Sequence, residues 1–167
     1  MPPLTTPFSG AYGRTRWEFG NRRRNEYNRY NYDVTDGERL VTTMEFRPFS
    51  KCHFEVGEHG FNLIQPTILS SGFELQCGGK SVCDVTVQCK WFIVETGYQL
   101  ATAGLRLRLH TQVWPWHPRR LFSQASAQEE EVGTIGPKWS AEFADVVPIP
   151  IRILAIALCV PGGGSWN

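Results

Sequence analysis

The run Ile151–Val160 restricts the fold more than any other segment of the chain. Arg152 is its one charged residue, and every other member is apolar. Prolines at positions 148 and 150 lead into the run, which is typical of a helix start. Its alanine and leucine content favours a helix over a core strand, although a short apolar run is compatible with both. A helix that is apolar on every side must be enclosed. We therefore expect the rest of the chain to build a wall around residues 151–160.

The chain from about residue 37 onwards has the pattern of many short strands. Leu105–Leu109 alternates strictly between leucine and arginine, which gives a strand one apolar and one basic face. Gly78-Gly79 suits a tight hairpin. We predict strands at 39–46, 52–56, 61–65, 73–77, 82–88, 91–95, 98–103, 105–109, 112–116, 132–135 and 139–147. The polar stretch 121–131 is expected to be a solvated loop or a short helical turn.

Strands at this spacing are typical of an antiparallel sandwich or barrel. A closed barrel also removes the exposed strand edges and supplies the wall that the apolar helix needs. With 167 residues, the chain has the length of one domain. We place a single β-barrel domain at residues 37–160 and a flexible glycine-rich tail at 161–167.

Residues 1–36 have a different composition, rich in arginine, asparagine and aromatic residues. No helical or strand period persists through them, so we expect a mostly disordered basic arm. Three consecutive arginines, Arg22, Arg23 and Arg24, are its densest positive charge.

The N-terminus lacks the apolar core of a secretory signal, and the five cysteines are an odd number. Both features favour reduced thiols in a cytoplasmic protein that is not secreted. No two cysteines or histidines have the spacing of a zinc-ligand pair, and no nucleophile, phosphate-loop or dinucleotide motif is present. We expect no metal, no cofactor and no enzymatic activity.

Binding must depend on local patches, because the formal net charge is only +1. Arginine forks bind phosphate groups, and aromatic rings lie at membrane interfaces or stack on unpaired bases. The predicted phosphate-binding residues are Arg22, Arg23, Arg24, Arg106, Arg108, Arg119 and Arg120. The predicted aromatic contacts are Trp17, Trp114 and Trp116.

Residues 46–160 resemble the tubby C-terminal-like superfamily, which includes phospholipid scramblases and LURP-one-related proteins. The resemblance is carried by FEVGEHGFNL (54–63), SGFELQCGGKSVC (71–83), EVGTIGPKW (131–139) and the proline-led run Ile151–Val160. It implies a mainly β fold, a closed antiparallel barrel of about twelve short strands around a buried C-terminal hydrophobic helix. The scramblases' palmitoylated cysteine cluster and calcium-binding segment are not recognisable in this sequence.

The leading hypothesis is a non-enzymatic module that associates with anionic phospholipid surfaces, placed in the cytoplasm and peripherally at membranes. Three alternatives remain open. The arm binds nucleic acid, or Trp114, Trp116 and His117 line a groove for a sugar or other small ligand, or the domain is a scaffold for a protein partner. A basic tail that only keeps the chain soluble is the simplest interpretation of the arm.

Overall fold

A computed structural model describes residues 13–24, 30–47, 52–66, 72–89, 95–112, 118–125, 127–136 and 139–160. They form twelve strands and one helix. The strands are β1 (Arg14–Arg24), β2 (Tyr30–Asp36), β3 (Arg39–Glu45), β4 (Cys52–Val56), β5 (His59–Ile64), β6 (Gly72–Cys77), β7 (Lys80–Cys89), β8 (Glu95–Thr102), β9 (Leu105–Gln112), β10 (Arg119–Ser123), β11 (Glu130–Ile135) and β12 (Ser140–Ala144). The helix α1 spans Ile149–Cys159.

The twelve strands form one closed antiparallel barrel in which each strand pairs with its neighbours along the chain. The first strand closes the wall against the last, with Trp17 opposite Ala141. The predicted fold class, a mainly β closed barrel with a buried C-terminal helix, is confirmed.

The helix is the core around which the wall is built. Residues 151–160 are all buried, including Arg152. The strands present every second side chain to the helix. In β9, for example, Leu105, Leu107 and Leu109 are buried, and the arginines between them face outward.

The two ends of the barrel differ in how the strands are joined. At one end, which we call the turn end, four two-residue turns join neighbouring strands, and residues 145–148 lead from β12 into α1. Gly78 and Gly79 form one of these turns with φ of 60° and 77°, which favours glycine. The six-residue connection between β10 and β11 is also at this end. The other end, the loop end, contains the connections that follow β1, β3, β5, β7, β9 and β11, and the C-terminus of α1.

The basic arm expected at residues 1–36 is corrected by the structure, because residues 14–24 and 30–36 are barrel strands. The barrel therefore begins at Arg14 rather than at residue 37. Trp17, Phe19, Tyr32 and Val34 are buried at alternating positions and pack into the core. Large inward aromatic residues alternate with outward charged residues, as in a strand, although the composition of the segment resembles that of a disordered tail.

The prediction of a loop or a short helical turn at 121–131 is also wrong for both ends of that stretch. Residues 119–123 form β10 and residues 130–135 form β11. Leu121 and Ser123 are buried, with Phe122 on the outer face between them. Glu131 in β11 is compatible with a strand because it faces Arg120 on the neighbouring β10.

No helix among the described residues is both long enough and apolar enough to cross a bilayer.

The enclosure of α1 can be tested with Ile156→Asp. Ile156 is fully buried, and an unpaired buried carboxylate costs several kcal/mol, so the variant should not fold. Ile156→Val, which costs about 0.5–1.5 kcal/mol, serves as the control. Circular dichroism with urea unfolding measures both. An Ile156→Asp protein with native stability would contradict the buried position of the helix.

Candidate functional site

Three of the four predicted phosphate-binding arginines of β9 and β10 share the outer face of the wall. Arg106 and Arg108 face outward from β9, and Arg120 faces outward from β10. Arg119 lies on the same side of β10 as the buried Leu121. The charge of Arg119 acts on the helix end, where it partly opposes the burial that raises the pKa of Cys159 to about 12.

Acidic residues neutralise much of this outer surface. Arg108 donates from Nε and Nη2 to both carboxylate oxygens of Glu129, at 3.0 and 2.6 Å. Hydrogen bonds from Arg108 and then Gln124 lower the pKa of Glu129. Arg120 lies 3.8 Å from Glu131. The surface therefore carries alternating charges, and the fork of Arg108 is already occupied by a carboxylate.

Trp17 is corrected from a surface contact to a core residue. It is 3% exposed, with its ring 6.1 Å from that of Phe143 and the Arg152 guanidinium 5.2 Å above it. Trp17 occupies an inward position of β1, opposite Ala141, so it has no access to a lipid or base.

The other predicted contacts fall wholly or partly outside what the structure describes. Arg22, Arg23 and Arg24 form the end of β1, at the loop end of the barrel, and their side chains are not among the described ones. Trp114, Trp116 and His117 lie outside the described residues.

Trp139 is an aromatic residue that the sequence did not identify as a contact. It lies at the loop end with 45% of its surface exposed. One face of the indole stacks on Tyr32 at 6.0 Å, and the ring of Phe19 meets it edge-on at 5.7 Å. Its φ of 58° is rare for a large side chain and costs of order 1–3 kcal/mol. The surrounding packing therefore holds this exposed indole in place.

The turn end contains a cavity of about 710 Å³ beside the start of α1. The hairpins β4–β5 and β6–β7 form one side, and residues 145–150 form the other. Most of the lining is apolar, including Val56, Phe61, Val82 and Ile149. The volume is within the range of small-molecule sites, roughly 300–1,000 Å³.

Arg152 is the buried positive charge of this cavity and is only 6% exposed. Its Nε donates to the main-chain oxygen of Val147 at 2.7 Å, and its Nη2 donates to that of Asp145 at 2.8 Å. The carboxylate of Asp145, which also lines the cavity, accepts a hydrogen bond from Thr15. Burial lowers the pKa of Arg152, and the negative charges of Asp145 and Asp36 oppose this effect.

A second cavity, of about 570 Å³, lies outside the wall where β3 and β4 separate. These two strands share one paired position, Glu45 opposite His53, and the Thr42 hydroxyl donates across the gap to the Glu55 carbonyl at 2.7 Å. The lining of this second cavity is largely polar. His53 is hydrogen-bonded to Asn62, and Glu45 accepts a hydrogen bond from Arg47.

The cysteines and histidines do not gather into a metal centre within the described ranges. Cys52 points into the core, whereas the adjacent His53 points outward to Asn62. Burial raises the pKa of Cys52 and raises that of Cys83 to about 12. Cys77 differs because it is partly exposed and lines the turn-end cavity.

No family model matches the sequence, and neither a curated protein nor a solved structure is significantly similar to it. The fold defines the class, a closed twelve-stranded barrel with an internal helix. Its role must be inferred from the residues themselves.

The thiols provide a test of the turn-end cavity. We expect iodoacetamide at about pH 8 to alkylate Cys77 at least tenfold faster than Cys52, Cys83 and Cys159, because buried thiols with raised pKa form little thiolate. The test uses a Cys89→Ser background and peptide mass spectrometry. Equal rates for Cys77 and Cys83 would contradict a closed wall with an open cavity.

Proposed function

We propose that the protein is a non-enzymatic module that associates with anionic membrane surfaces through the loop end of its barrel. The observation that supports this proposal is the difference in charge and aromatic content between the two ends. The tubby-like resemblance is part of the same proposal, since that superfamily includes proteins that act at membranes.

The loop-end connections are residues 25–29, 46–51, 65–71, 90–94, 113–118 and 136–139. Their cationic residues are Arg29, Arg47, Lys51, Lys90 and Lys138, against one acidic residue, Glu26. Their aromatic residues are Tyr27, Phe46, Phe49, Trp91, Phe92, Trp114, Trp116 and Trp139. Of these connections, the structure describes residues 46–47, 65–66, 118, 136 and 139.

The turn-end connections have the opposite character. Residues 37–38, 57–58, 78–79, 103–104, 124–129 and 145–148 contain no aromatic residue and no lysine or arginine. Their acidic residues are Glu38, Glu58, Glu129 and Asp145. The connections at the two ends of the barrel thus differ in charge and in aromatic content, although the net charge of the chain is close to zero.

This polarity suits an orientation with the loop end facing an anionic surface. A lysine or arginine near such a surface contributes about 1 kcal/mol, and Trp and Tyr concentrate at the interface between headgroups and acyl chains. Arg22, Arg23 and Arg24 end β1 at this end, and Trp139 exposes its indole there. The acidic turns then point away from the membrane.

Removing the three consecutive arginines at the end of β1 should abolish most of the binding. We expect Arg22→Ala/Arg23→Ala/Arg24→Ala to reduce the affinity for phosphatidylserine-containing vesicles about 100-fold, because about 3 kcal/mol of surface attraction is lost. Flotation at physiological salt measures the effect, with pure phosphatidylcholine vesicles alongside. Lys51→Ala/Lys90→Ala/Lys138→Ala should act in the same direction.

The matched control is Arg16→Ala/Arg39→Ala/Lys80→Ala, which removes the same charge from exposed positions close to the turn end. Its binding should remain near that of the parent protein. Equal losses for all three triple variants would indicate a non-directional charge effect and would contradict the proposed orientation. Displacement of the vesicles by single-stranded DNA would favour nucleic-acid binding by the same residues.

Trp139 is expected to contribute to vesicle binding but little to the stability of the fold. Trp139→Gly removes the exposed indole and suits the positive φ, so vesicle binding should fall several-fold while the urea midpoint changes little. Leu40→Gly, at an exposed position beside the turn end, is the control for vesicle binding. Unchanged flotation of Trp139→Gly would remove Trp139 from the interface.

A further inference from the structure

The turn-end cavity combines apolar walls with one buried positive charge, and the membrane proposal makes no use of it. The hydrogen bonds of Arg152 go to two main-chain oxygens, made by Nε and Nη2. Within the described ranges, Nη1 makes no hydrogen bond and no carboxylate forms an ion pair with the guanidinium. A buried charge is normally paired, so Nη1 of Arg152 remains able to donate to an anionic ligand inside this cavity.

The helix start adds to the positive character of this site. Pro148 at the N-cap provides no side-chain hydrogen bond, and the first turn of α1 contains no acidic residue. The positive end of the helix dipole is therefore not compensated by an acidic side chain of its own first turn. Pro148, Ile149 and Pro150 all line the cavity, which places its deep wall beside this helix end.

We infer that the cavity binds a small amphiphile with an apolar chain and a carboxylate head, the chemistry of a fatty acid. The carboxylate pairs with Nη1 of Arg152, as a charge-assisted hydrogen bond in a partly desolvated site. The chain lies against Val56, Phe61, Val82 and Ile149.

The acidic residues of the turn end do not reverse the preference of the cavity for an anionic head group. Asp36, Glu38, Glu58 and Asp145 are solvent-exposed, where water and salt weaken their effect and the Debye length is about 8 Å. Asp145 is in addition engaged by the hydroxyl of Thr15. The guanidinium of Arg152 is buried and is less screened.

The test compares two twelve-carbon amphiphiles whose head groups have opposite charges. We expect dodecanoate to bind at least tenfold more tightly than dodecylammonium, measured by titration calorimetry below the critical micelle concentrations. Dodecanoate should also slow the alkylation of Cys77, which lines the same cavity. In Arg152→Met, which keeps the length of the stem, the preference for dodecanoate should disappear.

A second variant tests the cavity independently, in case Arg152→Met does not fold. Val82→Trp should fill the cavity and abolish dodecanoate binding, whereas Thr86→Trp, at an exposed position of the same strand, should leave it unchanged. Equal affinity for both amphiphiles, or dodecanoate binding that survives Val82→Trp, would overturn the inference. Cys77 protection that needs no added ligand and vanishes when residues 1–12 are deleted would also overturn it, because the chain's own N-terminal segment would then be the occupant. The vesicle experiments use a different barrel end, so either proposal can fail alone.

Discussion

The enclosure of one apolar helix is the constraint on which the rest of this structure depends. Residues 151–160 form no polar face that could be exposed to solvent, so they must be enclosed on every side. Twelve short strands supply that wall, and closing β1 on β12 gives each described strand a neighbour on both sides. The helix and barrel therefore depend on each other, because the inner faces of the strands have no other partner.

Arg152 is the exception within this apolar core, and its surroundings show how a charge is accommodated there. The segment between β12 and α1 folds back so that two of its carbonyl groups accept from the guanidinium. Trp17 lies beneath the guanidinium. Arg152 thus joins the helix start to the end of β12 and to β1, at the point where the barrel closes.

The sequence was sufficient to predict the helix and its enclosure, because a fully apolar run has few other solutions. It was not sufficient for β1 and β2, whose outward arginines and asparagines dominate the composition while the inward Trp17 and Tyr32 determine the structure. The turn-end cavity was equally hidden, because its walls come from hairpins and a helix start that are far apart in the chain. The signal that could have located it was the single charge in the apolar run, Arg152, since a buried arginine requires nearby partners.

The order of the elements along the chain determines when the barrel is able to form. α1 is synthesised after all the strands that surround it, and β1 must wait for β12 before the wall closes. Until then, the strands expose apolar faces and unpaired edges, which favour association with other chains. Closure of the barrel therefore has to wait for β12, the last strand in the chain, and α1 follows that strand directly.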